Sequence, residues 1–224
     1  MKYYIIALLA IVAVACNSSQ KTTSKKQSSV EEYAATITSN ELKEMLYVYA
    51  GDDMRGRMTG SDGQKLAVKY LKDFYVAQGI KSPLGGDNYF QNVPASYLTR
   101  LEEPADSENV VAFIEGSEFP EQIIILSAHL DHVGVDDNGN VFNGADDDGS
   151  GTVAMLEMAE AFQKAVKEGK GPKRSILFLH VTGEEIGLFG SRYYTENPLF
   201  PLANTVCNLN TDMIGRIDPN KSDT

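Results

Sequence analysis

Four short segments in the second half of the chain hold most of the side chains that could do chemistry. They are "SAHLDHVG" (127–134) with His129, Asp131 and His132, "NGADDDGSG" (143–151) with Asp146, Asp147 and Asp148, "VTGEEIG" (181–187) with Glu184 and Glu185, and "NTDMIG" (210–215) with Asp212. Histidine nitrogens and carboxylate oxygens are ligands of divalent zinc, and a catalytic zinc site keeps one position open for water or substrate. Crowding carboxylates costs roughly several kcal/mol per uncompensated buried charge unless something positive sits among them. A pair of divalent ions would supply that charge, and two ions roughly 3.5–4 Å apart need a bridging carboxylate.

Such residues act together only if the backbone converges them. Three runs of strand length, "NVVAFIEG" (109–116), "QIIILSAH" (122–129) and "RSILFLHVT" (174–182), are almost continuously apolar and predict strands covered on both faces. Met155, Met158, Ala159, Phe162 and Val166 recur at helical offsets and predict a helix over 150–168. Strand, helix, strand argues an α/β fold with a mostly parallel mixed sheet flanked by helices, and a fourth strand is expected within 205–215. The segments 127–134, 181–187 and 210–215 then each follow a strand, at the edge where open α/β sheets bind ligands. Upstream, Thr38 and Glu41 stand in capping-box spacing ahead of Leu42, Met45, Leu46 and Tyr49. A second helix starts near Ser61, with Leu66, Ala67, Tyr70, Leu71 and Phe74 on one face, and ends at Gly79. The Pro, Gly, Asn and Asp content of 81–107 reads as loop.

In order and spacing, "AHLDHVG", "NGADDDGSG", "TGEEIGLFGS" and "NTDMIG" resemble the metal-binding segments of metallopeptidase family 28 of clan MH, the co-catalytic zinc aminopeptidases. "DDMRGRMTGSDGQKLAVKYL" (52–71) resembles the start of that family's bacterial exopeptidase domain, so the likeness spans about residues 38–216. The resemblance implies two zinc ions per site and peptide substrates. It makes His129, Asp147, Glu185 and Asp212 metal ligands, with Asp147 bridging, His129 and Asp212 on one ion and Glu185 on the other. It makes Glu184 the general base and Asp131 the carboxylate that orients the His129 ring. It also implies a cis peptide bond between Asp147 and Asp148. The family's second ion takes a further histidine well downstream of Asp212, and none follows here. The chain as given is therefore expected to be truncated at its C-terminus, with later strands missing, a second zinc site incomplete and activity weak.

Plainer roles exist for each residue. Asp146, Asp147 and Asp148 could cap the helix that follows them, and Glu184 and Glu185 could be first-turn helix acids. Neither "DDNGN" nor "ADDDG" has the spacing of an EF-hand loop. His132 reads as a structural or substrate-side residue, and His180, inside an apolar strand, as structural. Two other functions stay open: a glutaminyl cyclase-like acyltransferase with a single zinc, and a non-catalytic peptide-binding relative. The intact "GADDDGSG" and "TGEEIG" segments favour the peptidase.

The chain has 224 residues, 42% hydrophobic, a size that suits one sizeable domain. With 31 Asp+Glu against 20 Lys+Arg and a net charge of −11, it is a poor candidate for a nucleic-acid surface. Lys2 and the apolar run 3–15 are too short to span a bilayer but suit an export signal. The small residues before Cys16 resemble a bacterial lipobox. Residues 1–16 are thus expected to be a lipoprotein signal ending at a lipid-modified Cys16, 17–37 a flexible tether rich in Ser, Thr, Lys and Gln, and 38–224 the zinc peptidase domain. The protein would be exported and held by its lipid to a membrane, on the periplasmic or outer side of a bacterial envelope. Cys207 would be the one cysteine left in the domain, without a disulfide partner. No protein partner can be read from the sequence.

Overall fold

The chain alternates strands and helices, and the computed structural model describes residues 29–217. Cys16 and its signal-like run lie outside the described residues. In chain order the elements are α1 (Ser29–Ala34), α2 (Ser39–Tyr49), α3 (Asp62–Gln78), β1 (Phe90–Val93), β2 (Ser107–Ile114), β3 (Phe119–His129), α4 (Gly151–Lys167), β4 (Arg174–Val181), α5 (Phe189–Glu196) and β5 (Thr205–Asn210). Short 3-10 turns occupy Asp52–Arg57 and Leu202–Asn204.

The strands form one five-stranded sheet in the order β1-β2-β4-β3-β5. β1 pairs antiparallel with β2, β2 antiparallel with β4, and β3 runs parallel to both β4 and β5. The sheet is therefore mixed, and its parallel character is confined to the half that carries the acids. Opposite faces bury alternate residues, as the pleat requires. Val110, Ala112, Ile176 and Phe178 pack toward α2, α3 and α4, while Val111, Leu177, Leu179 and Val181 pack toward Tyr194 of α5. α4 is the crossover between the parallel neighbours β3 and β4.

Local capping chemistry starts both N-terminal helices. Thr38 Oγ1 accepts the Glu41 N–H of α2 at 3.3 Å and donates to Glu41 Oε2 at 2.6 Å. Ser61 Oγ accepts the Gln64 N–H of α3, and Gly79 closes that helix at φ 74°. The buried face of α3 is rotated from the expected one: Gln64, Ala67, Val68, Leu71 and Tyr75 are inside, and Leu66 is exposed. Two polar bonds account for the rotation. Gln64 Nε2 donates to Glu108 Oε2, and Tyr75 Oη meets His180 Nε2 at 2.8 Å. Within 81–107 the structure adds β1, whose Gln91 bonds Asn109 and the Asn197 carbonyl. α1 likewise corrects the expected tether: from Ser29 the chain is helical, and buried Tyr33 donates to Glu168 Oε2 at 2.5 Å. β5 ends at Asn210 rather than running to 215, because Asp146 and Ser150 take the backbone N–H groups of Gly215 and Ile214.

Candidate metal centre

Three parallel strands deliver the site. His129 lies opposite Val181 in the β3–β4 register, and Ser127 opposite Asn210 in the β3–β5 register. The residues just past those positions, Asp131 and His132, Glu184 and Glu185, and Asp212, thus emerge side by side at one sheet edge. Thr182 is fixed from the antiparallel side: its N–H donates to Asn109 Oδ1 at 3.0 Å, and its hydroxyl meets Ser107 Oγ at 2.6 Å.

The fourth contribution is the turn before α4. The Asp147–Asp148 peptide bond is cis, as expected. Each acid of the triplet holds a different segment. Asp146 Oδ1 accepts the Gly215 N–H at 2.9 Å, tethering the loop that carries Asp212. Asp148 is fully buried and accepts the N–H groups of His129 at 3.1 Å and Gly151 at 2.9 Å. Asp147 points to the site, with Oδ1 2.9 Å from His129 Nε2. Glycine is required on both sides. A Cβ on Gly144, which sits at φ 55°, would come within 2.5 Å of the Asp147 carbonyl and the His132 ring, and one on Gly151 within 2.3 Å of Asp148 Oδ1.

Two groups of possible ligand atoms result, each within 4.8 Å of one another: His129, Asp147 and Asp212, and His132, Asp147 and Glu185. In the first, Asp212 Oδ1 is 3.9 Å from His129 Nε2. In the second, Glu185 Oε1 is 2.5 Å from His132 Nδ1. Glu184 belongs to neither. It lines a cavity of about 390 Å³ with His129, Asp212, Leu179 and Tyr194, and its backbone N–H donates to Asp131 Oδ1 at 3.1 Å. Asp131 is completely buried and also accepts the Thr59 hydroxyl at 2.7 Å. Its carboxylate stands 3.8 Å from His129 Nδ1, and the shorter contact to that nitrogen, 3.1 Å, comes from the Asp131 carbonyl. The carboxylate chiefly joins the β3 and β4 segments, and the backbone orients the ring.

The electrostatics are those of a site with surplus negative charge. Burial pushes Asp148 up to about 7, against the pull of His129. Burial likewise raises Asp131 and Glu184. For His129, burial works downward, but Asp131, Asp148, Glu184 and Asp147 together outweigh it and leave it raised. The donor set is nitrogen and oxygen without sulfur, since Cys207 is exposed on β5, and it fits zinc. Of the residues singled out in the sequence, His129, Asp147 and Asp212 come together as expected, and Glu185 joins Asp147. His132 was missed as a possible ligand; its one signal was its place directly after Asp131. His180 is structural: it is wholly buried against Tyr75, and burial pushes its pKa down to about 3.

The profile of peptidase family M28 matches residues 109–222, which include every one of these residues. The chain belongs to this family. A relative from Leptosphaeria maculans named "Probable zinc metalloprotease" is 26% identical over 195 residues, covering 84% of this M28 chain and 43% of its own length. Among solved structures, a Zn-dependent exopeptidase from Parabacteroides distasonis is similar at a TM-score of 0.63 and 18% identity, covering 80% of this chain and 62% of that one. A glutaminyl cyclase from Bacteroides thetaiotaomicron is similar at 0.58 and 20% identity, over 77% and 62%. These two likenesses establish the zinc-exopeptidase fold. The M28 chain spans less than half the length of the curated relatives it matches.

Proposed function

We propose that this chain carries the metal centre of a zinc exopeptidase, and specifically an aminopeptidase acting on peptides. The observation that carries the reading is that Asp147 belongs to both three-residue groups, the position a bridging ligand must hold. His129 and Asp212 join Asp147 in one group; Glu185 joins it in the other, with His132 beside Glu185 as a candidate nitrogen donor in addition to the downstream histidine that the resemblance implies. Two divalent ions held there would polarise the scissile carbonyl and acidify the attacking water. Glu184 stands outside both groups but lines the same cavity, within reach of a water that the ions would hold, and burial raises its carboxyl pKa. It takes the proton of the attacking water and returns it to the leaving amine. Asp131 holds Glu184 in register with His129 through the Glu184 N–H.

A single-zinc cyclase is the competing reading, supported by the presence of a cyclase among the structural likenesses. The second ligand group is what favours the peptidase. Zinc stoichiometry together with release of free amino acids from peptides separates the two. Near two zinc per chain, with amino-acid release lost to a chelator and restored by zinc, supports the aminopeptidase; one zinc with cyclisation of N-terminal glutamine and no release would replace it.

A further inference from the structure

Arg57 is the largest side chain that is fully buried in the described structure, with 1% of its surface exposed, yet no carboxylate pairs with it among the described residues. Burying a guanidinium without a counter-ion is costly, and four of its five N–H groups find carbonyl acceptors. Its Nε donates to the Leu130 carbonyl at 3.2 Å. Nη1 donates to the Tyr49 carbonyl at 2.8 Å and the Asn143 carbonyl at 2.7 Å, and Nη2 to the Gly144 carbonyl at 2.8 Å. Its plane lies over the Tyr49 ring, 4.6 Å from the centroid, and Tyr49 Oη donates to the same Leu130 carbonyl at 2.9 Å. The Arg57 carbonyl accepts the His132 N–H at 3.3 Å.

The partners of these bonds form a pattern. Leu130 lies between His129 and Asp131, and Asn143–Gly144 lead directly into Asp146–Asp148. One planar cation therefore grips the two backbone segments that carry the histidines and the shared aspartate. We propose that Arg57 is a positioning residue of the metal centre, setting the separation of His129 and His132 from Asp147 by clamping the Leu130 and Asn143–Gly144 carbonyls together. The inference rests on the zinc-centre reading above. A lysine cannot substitute, because an ammonium has three donors radiating from one point, whereas the guanidinium fork reaches three chain segments at once.

The test is Arg57→Lys in the full chain, read by two signals. Co2+ binding to chelator-stripped protein, followed by its visible absorption, should weaken at least tenfold with an altered band shape, in the range expected when groups supporting metal ligands are removed. Amide exchange in the metal-free protein gives the second signal. The His129 amide, which bonds Asp148 across the two clamped segments, should exchange at least tenfold faster, while Leu177 in mid-β4 keeps its protection. If wild type binds no Co2+, the zinc reading fails, and the His129 amide alone decides the clamp. Unchanged exchange at His129, or unchanged affinity and spectrum, overturns the proposal. Should Arg57→Lys not fold, Arg57→Ala with added methylguanidinium replaces it. Saturable recovery of both signals supports the clamp; recovery of folding without Co2+ affinity overturns it.

Discussion

The Asp148 carboxylate accepts the backbone N–H of His129 at 3.1 Å, and the N–H of Gly151 at 2.9 Å with its other oxygen. A single buried group thus fastens the end of β3 to the first turn of α4. Asp148→Asn would replace one acceptor by a donor facing an N–H. We expect a loss of about 1–3 kcal/mol in denaturant unfolding, the cost of an unsatisfied buried group, with the metal-free protein affected as strongly as the loaded one.

His132→Asn separates the two ligand groups. The variant should retain His129, Asp147 and Asp212 and lose the ion of the other group, so zinc content by elemental analysis should fall by about one per chain. Asp147→Asn should lower the occupancy of both. Unchanged zinc content in His132→Asn would show that this histidine holds no metal.

Glu184→Gln keeps the size and the backbone bond to Asp131 while removing the base. Zinc content should stay near wild type, and turnover of a peptide substrate should fall by about 10²–10⁴-fold, the usual contribution of a positioned proton acceptor. Turnover within a factor of two of wild type would remove Glu184 from the reaction.

Glu157 on α4 is 3% exposed, and its pKa is pushed up from 4.5 to about 7 by burial, with Glu41 and Glu160 adding to the rise. The folded chain therefore holds this proton more tightly than the unfolded chain does. Its contribution to stability is complete below pH 4.5 and is lost as pH rises through about 7. Glu157→Gln should gain up to about 3 kcal/mol over wild type at pH 8 and almost nothing at pH 4, measured by urea unfolding at both.

Cys16 carries the membrane prediction. Cys16→Ser, expressed with its own leader in a bacterial host, should move the protein from the membrane fraction to the soluble one and abolish incorporation of labelled fatty acid. Unchanged membrane association would remove the lipid anchor.

Legibility in the sequence followed the range of the forces involved. Thr38, Ser61 and Gly79 act on residues within four positions, so both helix boundaries could be read directly. The strand-end acids could be read because parallel units place their carboxyl ends together whatever the loops do. The features that could not be read depend on distant partners. β1 is held by Gln91 bonding Asn109 and Asn197, and α1 is anchored by Tyr33 to Glu168, 135 positions away. The α3 face turned because Tyr75 seeks His180. His132 lies beyond the end of β3, where no strand periodicity says which way a side chain points; its direction toward Glu185 emerges from Gly144 making room beside its ring.

The strand order also imposes a sequence in time. His132, Asp147 and Glu185 are brought together once β4 and its following turn have joined β3, whereas Asp212 arrives only when β5 docks on the opposite side of β3. A nascent chain therefore brings one three-residue group together while the other is still one strand short.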